Sequence, residues 1–243
     1  VAYMFFLVKL NTFNMKRYVF LLLFVCLSFV VSARKTTLRV PKWVYTMTKG
    51  STIVSTNRDF SSIISYSTPE FIGYIGKDYH KMDIQFNKVC KLTNAKYAIS
   101  GNSKVRSFVY PFSGTLEIIE TRIFKNRDYG IDDEMKGKFD KRGCCVARFQ
   151  LKESYTAKGS GVFKGYALFF WYTKKDDTLH IDDIDSYSDS YCNNLYSGMW
   201  TSYRSHRTKP CGWGQWRIPN SGDLDIGAAE FSVNPKYKAN GWE

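Results

Sequence analysis

The stretch Val162-Phe-Lys-Gly-Tyr-Ala-Leu-Phe-Phe-Trp-Tyr172 decides the fold. It is rich in aromatic residues and apolar on both faces, and Lys174-Lys-Asp-Asp177 follows it as a polar turn. Alternation then resumes from Thr178 to Ile184, so the segment reads as the central β-hairpin of a core. Gly161 and Gly165 remove side chains near its start, which predicts a bulge or a sharp curl of the strand.

The same signal extends outward. In Cys145 to Leu151, the residues Cys145, Ala147, Phe149 and Leu151 share one face against Val146, Arg148 and Gln150, the pattern of a half-buried antiparallel strand. Thr115 to Phe124 is equally β-rich. Further strands are expected at Thr37 to Tyr45, Met82 to Val89, Lys104 to Tyr110, Met199 to Tyr203 and Glu230 to Val233. Helix signals are confined to a turn or two at Asp59 to Tyr66 and Asp132 to Phe139. The fold class is therefore all-β, or β-dominated α+β: an antiparallel β-barrel or sandwich with one or two short helices.

Met15 to Ala33, MKRYVFLLLFVCLSFVVSA, reads as a secretory signal peptide. Lys16 and Arg17 form its positive start, Tyr18 to Val31 its apolar core, and Val31-Ser-Ala33 a small-residue cleavage pattern, so the mature chain is expected to begin at Arg34 in a periplasmic or secreted location. The apolar run is shorter than the roughly 18 residues a spanning helix needs, so no transmembrane segment is expected after cleavage. The organisation expected is an upstream extension (1–14), the signal peptide (15–33), an N-terminal appendage (34–67) and an antiparallel β-domain (68–243).

Of 35 Lys/Arg and 22 Asp/Glu, three basic residues and no acidic one lie before Arg34. Residues 34–160 hold 23 basic against 12 acidic residues, whereas residues 161–243 hold 9 against 10. Such an excess suits a glycan or anionic surface polymer, or simply solubility, because the charges are scattered singly. No nucleic-acid-reading motif is present, so no specific nucleic-acid partner is expected. Export predicts disulfides among Cys90, Cys144, Cys145, Cys192 and Cys211, with one left over, Cys26 being removed with the leader. Cys144 and Cys145, as neighbours on a strand, point to opposite faces.

Chemical motifs are sparse. Gly159-Ser-Gly-Val-Phe-Lys-Gly165 lacks the Lys-Ser/Thr at a helix start that a phosphate loop needs. There is no Cys-x-x-Cys, and His80, His180 and His206 have no zinc spacing. Asp182, Asp183, Asp185 and Asp189, with Asn193 or Asn194, offer Ca²⁺ ligands, but the alternation breaks at Tyr187 and Ser188, so turn-forming carboxylates are the expectation. Asp223 and Asp225 are a carboxylate pair of the kind glycosidases use and ordinary surfaces also carry. No metal, no cofactor and no catalytic residue is assigned.

The C-terminal region is densest in unusual chemistry. Trp200, Tyr203, Trp213, Trp216 and Arg217 lie among Gly, Asn and Asp, the mixture in which flat rings stack on sugars and a guanidinium holds an acidic group. The same rings also suit the plug of a barrel end. The run Cys211-Gly-Trp-Gly-Gln-Trp-Arg-Ile-Pro-Asn-Ser-Gly-Asp-Leu-Asp-Ile-Gly-Ala-Ala-Glu-Phe231, with the closing Asn240-Gly-Trp-Glu243, resembles the tail of an uncharacterised family of secreted β-rich proteins from anaerobic gut-type bacteria. The likeness covers residues from about Gly161 onward; it implies an exported bacterial β-protein and carries no activity.

Three functions are expected from these features. The first is an exported, non-enzymatic β-domain that binds a ligand or surface molecule, foremost a glycan, through Trp200, Tyr203, Trp213, Trp216 and Arg217. The second is a polysaccharide or cell-wall hydrolase using Asp/Glu, which requires a carboxylate with a raised pKa in a cleft. The third is a structural or interaction protein without a small ligand.

Overall fold

The computed structural model describes residues 40–242; the upstream extension, the leader and the expected cleavage site lie outside the described residues. Eight antiparallel strands close into a β-barrel in the order β5(Phe108–Phe124), β4(Lys96–Val105), β3(His80–Lys91), β2(Ile72–Ile75), β10(Thr208–Gln215), β9(Asn193–Ser202), β7(Gly161–Thr173) and β6(Lys141–Glu153), with β6 returning to β5. Closure leaves the barrel itself without an open sheet edge. Two short strands lie off the ring: β1(Ser51–Val54) continues the free edge of β5, and β8(Leu179–Ile181) pairs with the end of β7.

The alternation read from the sequence sets what faces inward. Cys145, Ala147, Phe149 and Leu151 of β6 and Phe163, Ala167, Phe169 and Trp171 of β7 all belong to the interior cluster. The outward Tyr166 and Leu168 are apolar too, because helix α1(Lys42–Met47) lays Val44, Trp43 and Met47 over that outer face with Cys144 and Val146. β7 is thus covered on both sides, which accounts for its unbroken hydrophobicity. Its hairpin partner β8 exists but lies outside the ring; the barrel neighbours of β7 are β6 and β9.

Several expected elements take a different form. Of the strand expected over Thr37 to Tyr45, the described part enters α1 instead: Pro41, with φ −59°, suits the entry to a helix, and Val44 and Thr48, four apart, are buried on its inner side. Lys104 to Tyr110 is a hairpin, not one strand, because Arg106 adopts a left-handed φ of 57° between β4 and β5. Glu230 to Val233 forms only an isolated bridge, Asp225 to Val233. Near Asp132 a 3₁₀ turn spans Ile131–Asp133, whereas α2(Ser61–Ile64) forms within the helix expected from Asp59. No bulge occurs at Gly165; it faces Gly198 across an unbroken register, and a Cβ there would sit 2.7 Å from the Gly198 Cα. The glycine pair is a requirement of close strand approach.

The expected disulfides are absent: Cys90, Cys144, Cys145, Cys192 and Cys211 are all free. Each cysteine within a strand faces a non-cysteine across its ladder, Cys145 opposite Phe169, Cys211 opposite Gly198 and Cys90 opposite Ala98. As the alternation requires, Cys145 enters the barrel while Cys144 packs under α1. Burial pushes the Cys144 thiol up to about 12 and that of Cys192 to about 11, so both are protonated near neutrality.

Candidate functional site

The two ends of the barrel are built differently. One is plugged by the chain that precedes β2. Phe60 packs its ring on Phe169 and Trp171, at centroid distances of 5.9 and 5.6 Å, and Ile63 and Ile64 join the interior cluster. The plug is pinned by polar groups that are themselves buried: Phe60 N donates to the Tyr97 hydroxyl at 3.1 Å, Asn194 Nδ2 donates to Ile63 O and to Gln215 Oε1, and Gln215 Nε2 donates to the carbonyls of Tyr66 and Pro69. Residues 40–67, read from the sequence as an appendage, therefore supply both the plug and the outer helix.

At the opposite end the hairpins β2–β3, β4–β5, β6–β7 and β9–β10 turn around a cavity of about 300 Å³. Its walls are Ile75, Val105, Phe108, Tyr110, Phe163 and Trp200; its polar groups are His80, Arg106, Glu153 and Lys209. Phe108 is 62% exposed and lies nearly parallel to Tyr110, with centroids 6.5 Å apart. Tyr110 is fixed by donating its hydroxyl to Lys158 O. Lys209 Nζ stands 5.7 Å from the centroid of the Trp200 ring, within cation–π range. His80 Nδ1 is buried with no hydrogen-bond partner among the described residues.

Glu153 forms the polar floor. The alternation that turns Leu151 inward turns Glu153 inward as well, and it is only 5% exposed. Its Oε2 accepts from Trp200 Nε1 at 2.9 Å and from Gly161 N at 2.7 Å, and its Oε1 accepts from the Ser103 hydroxyl. Desolvation raises its pKa above the usual carboxylate range, although the three donors oppose that shift. The carboxyl ties β4, β7 and β9 together beneath the cavity.

The five residues singled out in the C-terminal region fall in three places. Trp200 lines the cavity, and Tyr203 stands beside it, its hydroxyl donating to Glu153 O at 3.2 Å and its ring meeting Tyr155 edge-on. Trp213 is wholly buried in mid-barrel, stacked on Tyr196 with centroids 5.0 Å apart. Trp216 packs edge-on against Tyr191. Arg217 pairs with Asp225 at 2.7 Å and donates to the carbonyls of Gly227, Ala228 and Ala229, so it anchors the C-terminal segment against its own chain. Reading along the chain missed His80, Arg106, Phe108, Tyr110 and Glu153, because barrel closure, not sequence proximity, brings them together.

Of the acidic residues weighed as metal or catalytic sites, Asp182, Asp185, Asp223 and Asp225 are engaged by side chains of the chain itself. Arg142 bonds Asp182 through Nε at 2.6 Å and Asp185 through Nη2 at 2.7 Å, with Asp128 nearby, beside a cavity of about 390 Å³ next to α1. Asp223 is held by Lys236 and Tyr237, and Asp225 by Arg217. Among the described residues no cluster of three or more His, Cys, Asp or Glu side chains is arranged to hold a metal ion. Nor is any helix among them long and apolar enough to cross a membrane. No protein-family model, no curated protein and no solved structure matches this chain.

Proposed function

We propose that the chain is an exported binding protein whose open barrel end holds a glycan against Phe108, Tyr110 and Trp200. The observation that supports this reading is the cavity itself: a concave site at one end of a closed barrel, walled by aromatic rings of which Phe108 is exposed, beside polar groups. A flat ring offers a sugar's C–H face an apolar contact, and the side chains of His80, Arg106 and Lys209 line the same cavity as hydrogen-bonding groups. Export rests on the run from Met15 to Ala33 alone, since the free cysteines lend it no support. Binding is tested by titrating oligosaccharides while following tryptophan fluorescence. Phe108→Ala weakens the complex about tenfold, the loss expected when one stacking face is removed. Equal binding by wild type and variant, or no binding to any glycan, refutes the reading.

A second reading, hydrolysis of a polysaccharide, is favoured by one observation, the buried Glu153 with its raised pKa in a cleft. Against it, Glu153 is the only carboxylate lining that cavity among the described residues, whereas glycoside hydrolysis ordinarily uses two, about 5 to 9.5 Å apart. Turnover of a glycan that disappears in Glu153→Gln would establish this reading over simple binding.

A further inference from the structure

We infer that the occupant of the open end is an acidic glycan whose carboxylate or sulfate group is held at the rim by Arg106 and Lys209. This rests on the reading of the open end as a glycan site and adds the charge of the glycan.

The first observation is how the arginines are used. Among the described residues Arg58, Arg122, Arg142, Arg148 and Arg217 each pair with a carboxylate. The other four described arginines have no ion pair among the described residues, and three of them, Arg106, Arg204 and Arg207, stand in the turns of the open end; the fourth, Arg127, is at the plugged end. Lys209, facing the same cavity, has no ion pair among the described residues either and rests over the Trp200 ring.

The second observation is the charge of the connections. The four turns of the open end (76–79, 106–107, 154–160 and 203–207) carry five basic residues, Lys77, Arg106, Lys158, Arg204 and Arg207, against the single acidic Asp78. The long connections of the plugged end (125–140 and 174–192) carry eleven acidic residues against six basic ones. The turns around the open mouth thus carry net positive charge, which favours anions there, whereas these two connections of the plugged end carry net negative charge. A guanidinium left without a carboxylate at the rim of a cavity offers two parallel donors to a carboxylate or a sulfate. The aromatic walls behind it take the ring that bears the group.

The test uses the purified protein and four probes of equal length: a sulfated oligosaccharide, a uronate oligosaccharide, a neutral oligosaccharide and single-stranded DNA. One or both acidic sugars bind at least tenfold more tightly than the neutral sugar, the advantage shrinks in high salt, and Arg106→Gln and Lys209→Gln each remove about tenfold of it. Arg127→Gln, which alters an equally unpaired arginine at the other end, leaves binding unchanged. Which acidic sugar wins separates carboxylate from sulfate. A neutral sugar that binds as tightly, with Arg106→Gln silent and Phe108→Ala damaging, overturns the inference and leaves the glycan site standing. DNA that binds more tightly than either acidic sugar overturns it in favour of a nucleic-acid occupant. Failure of every sugar to bind removes the glycan site itself.

Discussion

The plugged and open ends of this barrel use the same materials, aromatic rings and buried hydrogen-bonding groups, to opposite effect. At the plugged end Phe60, Ile63 and Ile64 fill the barrel, and the buried amides of Asn194 and Gln215 satisfy the backbone of the segment that does so. At the open end, Glu153 also gathers donors from three strands, but none of the described residues fills the space above it. A small barrel normally fills its interior with its own side chains. The described residues thus leave one end concave and its turns basic while they seal the other, and the proposed ligand site falls at the end that does not carry the plug.

That contrast can be broken from either side. The largest effect is expected in mid-barrel: Trp213→Ala removes a fully buried ring stacked on Tyr196 and costs about 3–5 kcal/mol in urea unfolding. Next comes the plug. Gln215→Ala leaves the carbonyls of Tyr66 and Pro69 without this donor and removes one of the two acceptors of the Asn194 amide, costing about 1–3 kcal/mol by the same measurement. Sugar affinity of the remaining folded protein stays unchanged.

At the open end, Glu153→Ala strands Trp200 Nε1 and Gly161 N and costs about 1–3 kcal/mol. Glu153→Gln keeps an acceptor for both and a donor for Ser103, so it is far milder. Because burial raises the Glu153 pKa, the folded state binds its proton more tightly than the unfolded chain. The contribution of this group to stability is therefore full below the ordinary carboxylate range and is lost as pH rises through the raised folded value. Comparing unfolding of wild type and Glu153→Gln across that window isolates it: the wild type alone loses stability from this site as pH rises. The smallest stability effect belongs to the rim, where Phe108→Ala shifts unfolding by no more than about 0.5 kcal/mol, Phe108 being 62% exposed.

The strands were legible because alternation is local: Cys145 to Leu151 names its own inward face, and that face is the one in the core. Carried two residues further, the same alternation points Glu153 inward, so the floor of the cavity had a sequence signal, a carboxylate in register with a buried face. The rim had none. Arg106, Phe108, His80 and Lys209 come from three separate hairpins, and only closure of the ring makes them neighbours. The aromatic richness of the C-terminal region was real, but it divides among the cavity wall at Trp200, the mid-barrel stack at Trp213 and the anchored segment after Trp216. Alternation likewise could not foresee that Pro41 starts a helix packed on the outside of β7, where the outward Leu168 is the clue.

The claim that one end of the barrel receives a ligand and the other does not is tested most directly by mapping backbone amide shifts in NMR during titration with an acidic oligosaccharide. The shifts are expected in the four turns 76–79, 106–107, 154–160 and 203–207 and at the Trp200 indole. Shifts centred on residues 125–140 or 174–192, or on Trp216 and Arg217, would contradict it.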